Sequence, residues 1–165
     1  MIDSADDHTA TLPRKRMGAG LLFTDPAGRV LLVEPTYKEH WEIPGGCVEA
    51  GESPYAAARR EVAEELGLVV APGRLLVVDW VPPRPGRTEG VMFVFDGGRL
   101  NPAQQAGIRL PPAELHGWAW CTPAEADARL SPLLARRVRA ATQALTTTTI
   151  ATTTPYLEDG SPLLP

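Results

Sequence analysis

The chain has 165 residues, 44% hydrophobic and 22% charged, enough for one domain with a substantial core and too few for two ordinary domains. Its formal net charge of −4 gives no general attraction to polyanions, so stable nucleic-acid binding would need a local basic patch. Two cysteines far apart exclude a disulfide framework and a cysteine zinc site.

Residues 1–15 read as a polar lead without apolar periodicity, expected to be disordered, and Arg14-Lys15-Arg16 as a solvated approach to the first strand. The lead lacks the regions of a signal peptide, and no apolar run approaches membrane-spanning length, so a cytoplasmic location without membrane attachment is expected. Gly18 to Thr24 and Arg29 to Glu34 are apolar runs joined by Asp25-Pro26-Ala27-Gly28, which predicts a hairpin. Trp41-Glu42-Ile43 is a short extended piece halted by Pro44-Gly45-Gly46.

Ser53 as N-cap, Pro54 at the first position and Gly67 after the last turn predict a helix over residues 54–66. Leu75 to Val81 and Val91 to Phe95 read as buried strands around a proline-rich loop, and Leu115 to Cys121 as a further strand with Trp118 and Trp120 on one face. Helices are expected from Pro123 toward Arg129 and from Pro132 to Leu145. Residues 146–165, with the run TTTTIATTT, are expected to form a flexible or loosely docked tail. The domain therefore spans residues 16–145, of mixed α/β class.

On the helix over residues 54–66, Glu61, Glu64 and Glu65 fall within an arc of roughly 100°. Each like-charged pair costs about 0.2–0.5 kcal/mol, and all three face the negative end of the helix dipole. A hard divalent cation reverses that sign, because Mg²⁺ takes oxygen ligands and commonly joins carboxylates to phosphates. From Gly46 the chain fits G-x5-E-x7-R-E-U-x-E-E-x-G-U, where U is a bulky aliphatic residue: Gly46, Glu52, Arg60, Glu61, Val62, Glu64, Glu65, Gly67 and Leu68. This segment, residues 46–68, resembles the Nudix box of the Nudix hydrolases.

The resemblance implies an α/β/α sandwich with a mixed central sheet, and hydrolysis of a nucleoside diphosphate linked to another moiety. It implies that Glu64 and Glu65 are metal ligands, that Glu61 is a further ligand or a base, and that the Gly45 carbonyl adds a ligand. Mg²⁺ is the expected ion, with Mn²⁺ as the alternative. Glu52 and Arg60 match the pair that braces the loop against the helix. The family often takes a base from outside the box; Glu114 is preferred here over Glu89. Tyr37, Trp41, Trp80, Trp118 and Trp120 are candidates for stacking on a base, and Arg84 and Arg87 for touching a phosphate or ribose.

A small nucleotide is the expected partner, either a nucleoside triphosphate, an oxidised nucleotide or a nucleotide sugar. ADP-ribose is the narrower alternative, suggested by Pro82 and Pro83 downstream of the box, and a non-catalytic nucleotide sensor is the reading from another class. Family members are often homodimers, but no residue pattern identifies an interface.

Overall fold

The end of the first strand is buried on both faces, with Leu21, Leu22 and Phe23 all at 0% exposure, so it needs neighbours on each side as well as covering layers. That strand, β1 (Arg16–Phe23), takes them from β3 (Gly45–Cys47) and β5 (Gly90–Gly98). With β4 (Leu75–Val81), β7 (Tyr156–Glu158) and β8 (Ser161–Pro162) they form a six-stranded mixed sheet in the order β3-β1-β5-β4-β7-β8. This computed structural model describes residue 8 and residues 10–147 and 154–162. Residues 1–7 and 9 of the expected lead, and 148–153 and 163–165 of the expected tail, lie outside the described residues.

Helix α1 (Pro54–Leu66) covers one face of the sheet, with Ala57, Ala58, Val62 and Leu66 packed against Ala19, Leu21 and Phe23. Helix α4 (Pro132–Thr146) covers the other, where Leu134, Ala135, Val138 and Ala141 meet Leu22, Val77 and Val94. This is the expected sandwich. The full burial of Val62 and Leu66 contributes about 1.5–3 kcal/mol each toward holding α1 in place. No helix among the described residues is long and apolar enough to cross a membrane.

The expected hairpin is corrected. The Asp25 turn forms, with Gly28 N–H donating to Asp25 O at 3.0 Å, but the chain then diverges. β2 (Val30–Pro35) pairs with β6 (Leu115–Cys121) in a separate two-stranded sheet, and only the Thr24–Val30 bridge joins it to the end of β1. Both edges of β1 are already taken, which leaves β2 to find its own partner. Two short helices lie between the later strands and α4: α2 (Pro102–Ala106), capped by Asn101 and Gln104, and α3 (Pro123–Arg129), capped by Thr122 and Glu125.

The described end of the chain is not loose. β7 pairs in parallel with β4, and Leu157 sits at 0% exposure in the core beneath α4. Asp159 and Gly160, both at positive φ, turn the chain into β8. Strand pairing with β4, the buried Leu157, the ion pairs of Asp159 with Arg84 and Arg136, and the Gly160 N–H bond to Asp79 dock a segment whose composition alone suggests mobility.

Candidate active site

The local signals of α1 all operate. Ser53 Oγ accepts from Ala56 N–H at 3.1 Å, Pro54 opens the helix, and Gly67 closes it at φ 68°. Its buried alanines bring the helix close to the sheet, and the Glu61 and Glu65 carboxylates therefore meet the backbone of β3. Gly45 N–H donates to Glu65 Oε2 at 2.9 Å. A Cβ on Gly46 would fall 2.5 Å from the Glu61 carboxylate, so only glycine leaves that group its place. At Gly45, φ is 148° and a Cβ would lie 2.4 Å from Ala19 O, which again restricts the position to glycine.

Arg60 ties the site together. Its Nε donates to Glu52 Oε1 at 3.0 Å and its Nη2 to Glu52 Oε2 at 2.9 Å, a two-pronged pair. Nη2 also reaches Cys47 O at 3.0 Å, while Nη1 reaches Glu61 Oε1 at 2.9 Å and Glu64 Oε2 at 3.0 Å. The loop before α1, the end of β3 and two of the three glutamates are thus held by one guanidinium. Hydrogen bonding from Arg60 lowers the pKa of Glu52.

Glu61 and Glu65 move the other way. Burial raises the pKa of Glu61 despite the opposing pull of Arg60. Burial also pushes Glu65 up to about 8, against the Gly45 N–H bond, with added repulsion from Glu61, Glu42 and Glu114. Glu114 therefore lies near enough for its charge to act on Glu65, although its own side chain is exposed. Glu42, which the sequence did not single out, acts on Glu65 in the same way and is ion-paired with Lys38. Glu89, the other candidate base, is taken up by Lys15 and by Trp80 Nε1 at 3.3 Å.

Among the described residues, no three Asp, Glu, His or Cys side chains already stand together as a ready ligand set. The reason is visible in Arg60, whose cationic head draws Glu61 and Glu64 while Glu65 faces Gly45. The donor set nevertheless suits a hard divalent cation. It offers carboxylate oxygens, one of them on the buried Glu65 whose pKa is raised by burial and by neighbouring carboxylates, and Mg²⁺ needs only one or two protein carboxylates beside water and phosphate oxygens.

Comparison with known proteins decides the family. The NUDIX domain model matches residues 14–143. The chain belongs to the Nudix family. It is 31% identical to an RNA pyrophosphohydrolase of Dinoroseobacter shibae over 72% of this chain and 82% of that one. It is also 31% identical to a MutT-like protein of Streptomyces ambofaciens, over 67% of this chain and 66% of the relative. In fold it is similar to the MutT protein of Methanosarcina mazei Go1, with a TM-score of 0.68 at 21% identity, covering 83% of this chain and all of that one.

On the α4 side of the sheet, this Nudix hydrolase carries a cleft of about 490 Å³ that begins at Gly45, Gly46 and Cys47 and runs across β1 and β5 to α4. Five basic side chains line it, Arg16, Lys38, Arg84, Arg87 and Arg137, against one acidic group, Glu42; Lys38, Arg84 and Arg137 are ion-paired with Glu42, Asp159 and Asp79, so Arg16 and Arg87 supply the local positive charge. On a chain of net charge −4, that local excess favours an anionic ligand. Tyr37 and Arg84 lie on its rim as candidates, but Arg84 is ion-paired with Asp159. Trp80 does not line the cleft. Its indole N–H donates to Glu89 Oε2 at 3.3 Å. Trp118 and Trp120 meet edge to face at 6.2 Å and pack on the α1 side of the core.

Proposed function

We propose that this Nudix hydrolase is a Mg²⁺-dependent pyrophosphohydrolase that cleaves a nucleoside diphosphate linked to a further moiety. The observation that carries the proposal is the junction at Gly45 and Gly46, where the carboxylates of α1 meet the mouth of the basic cleft. One end suits a divalent cation and the diphosphate; the other suits the rest of a nucleotide. The relatives' names support the same class: one is an RNA pyrophosphohydrolase, and another, matched over 22% of this chain, a putative 8-oxo-dGTP diphosphatase.

Glu64, Glu65 and the Gly45 carbonyl are assigned as metal ligands, with Glu61 sharing the metal and water. When bound, Mg²⁺ supplies Lewis acidity, offsetting diphosphate charge and making the attacking water more acidic. The water oxygen bonds to phosphorus, the bridging P–O bond breaks, and a carboxylate takes the proton. Glu114 is assigned that proton, being an exposed carboxylate whose charge acts on Glu65. Glu52 and Arg60 act by holding the loop and Glu61 in register.

The test is product release with Mg²⁺ from GTP, ATP, ADP-ribose and UDP-glucose, run on the parent and on Glu64→Gln. Turnover of at least one compound, lost in the variant and in excess chelator, is expected. Turnover by the variant at the parent rate, or none of the compounds cut, contradicts the assignment.

A further inference from the structure

We infer that Arg137 reads the base of the substrate and selects a 6-oxopurine; this rests on the reading that a nucleotide occupies the cleft. Asp79 on β4 is at 0% exposure and Arg137 on α4 at 8%, so their pair is almost wholly removed from water. Arg137 Nε donates to Asp79 Oδ2 at 2.8 Å, and Nη2 approaches the same oxygen at 2.7 Å. The second oxygen, Oδ1, accepts from Gly160 N–H at 3.0 Å. The C-terminal turn thereby holds the carboxylate, and the carboxylate fixes one edge of the guanidinium.

The other edge faces the cleft. Nη1 has no partner among the described residues, yet no buried side-chain nitrogen or oxygen there lacks one, so solvent reaches Nη1. Arg137 lines the cleft, and the sheet beneath places Asp79 beside Met92 and Met92 beside Gly18 in one row across three strands. Ile43, Met92 and Leu134 supply apolar walls suited to a flat ring.

Charge narrows the ligand. Asp79 neutralises Arg137, so the pair offers paired N–H donors rather than net charge for a second phosphate. Two adjacent acceptors complement them, and among bases the O6 and N7 edge of guanine or hypoxanthine provides that pair. Adenine places an amino donor beside N7, and cytosine presents an amino donor as well. A buried guanidinium edge left facing a donor forfeits its hydrogen bond.

The experiment measures equilibrium binding of GMP, IMP, AMP and 7-deaza-GMP to the full chain with Mg²⁺ by calorimetry, since none has an anhydride bond to cut. GMP and IMP are expected to bind about 10- to 100-fold more tightly than AMP and 7-deaza-GMP. The double variant Asp79→Leu with Arg137→Met, which removes both charges together, is expected to level the four. Equal binding of GMP, IMP and AMP by the parent, binding of none, or a ranking that survives the double variant overturns the inference. Should that variant not fold, the comparison of GMP with 7-deaza-GMP decides alone. Failure to cut any of GTP, ATP, ADP-ribose and UDP-glucose would overturn the enzymatic reading without touching this ranking.

Discussion

The Glu61 carboxylate lies 2.5 Å from the point where a Cβ on Gly46 would stand. Glu61 is the flexible end of a side chain, so Gly46→Ala should displace the carboxylate rather than the backbone. The expected result is a Tm within a few degrees of the parent and a kcat/KM lower by about 100-fold, the scale on which an ångström of misplacement acts. Thermal melts beside steady-state kinetics check it; an unaltered kcat/KM would mean that Glu61 has no role.

Arg60 holds Glu52, Glu61, Glu64 and the Cys47 carbonyl with one planar head. Arg60→Lys keeps the charge but cannot reproduce the fork. A loss of about 10–100-fold in Mg²⁺ affinity or activity is expected, with a lower Tm, and a Mg²⁺ titration of the rate measures it.

Glu65 gives a pH dependence with a definite sign. Its pKa rises from the ordinary 4.5 to about 8 in the folded protein, so between those values the folded state binds more protons than the unfolded one. Stability of the chelator-treated protein should therefore fall as pH rises from about 4.5 to about 8 and level off beyond it. Denaturant midpoints at pH 5.5, 7 and 8.5 read the slope, which Glu65→Gln should flatten and Mg²⁺ should reduce. A midpoint that climbs through this range in chelator would contradict the burial of that carboxylate.

Much of this site is written locally. Ser53, Pro54 and Gly67 bracket α1, and the spacing of Glu61, Glu64 and Glu65 places them together, because capping and helical period depend on neighbouring residues. Asn101 and Gln104 around α2 form an equally local capping signal. Long-range pairings left no such trace. Nothing near Asp79 points to Arg137, 58 residues on, and nothing in Asp25 to Gly28 reveals that β1 and β2 part into different sheets. The docking of Leu157 is likewise a tertiary event, made possible by an open edge of β4.

That docking has a stability signature. Leu157 is fully buried against the α4 side of the core, so Leu157→Ala should cost about 2–5 kcal/mol in urea unfolding. A change below about 0.5 kcal/mol, the usual range of surface substitutions, would place the segment away from the sheet.

The proposed chemistry requires the glutamates of α1 to hold a divalent cation. Mn²⁺ binding followed by electron paramagnetic resonance, with pyrophosphate present, tests this on the parent and on the double variant Glu64→Gln with Glu65→Gln. A site in the parent that pyrophosphate tightens, weakened at least about tenfold in the variant, is the predicted result. Equal Mn²⁺ binding by both proteins would contradict it.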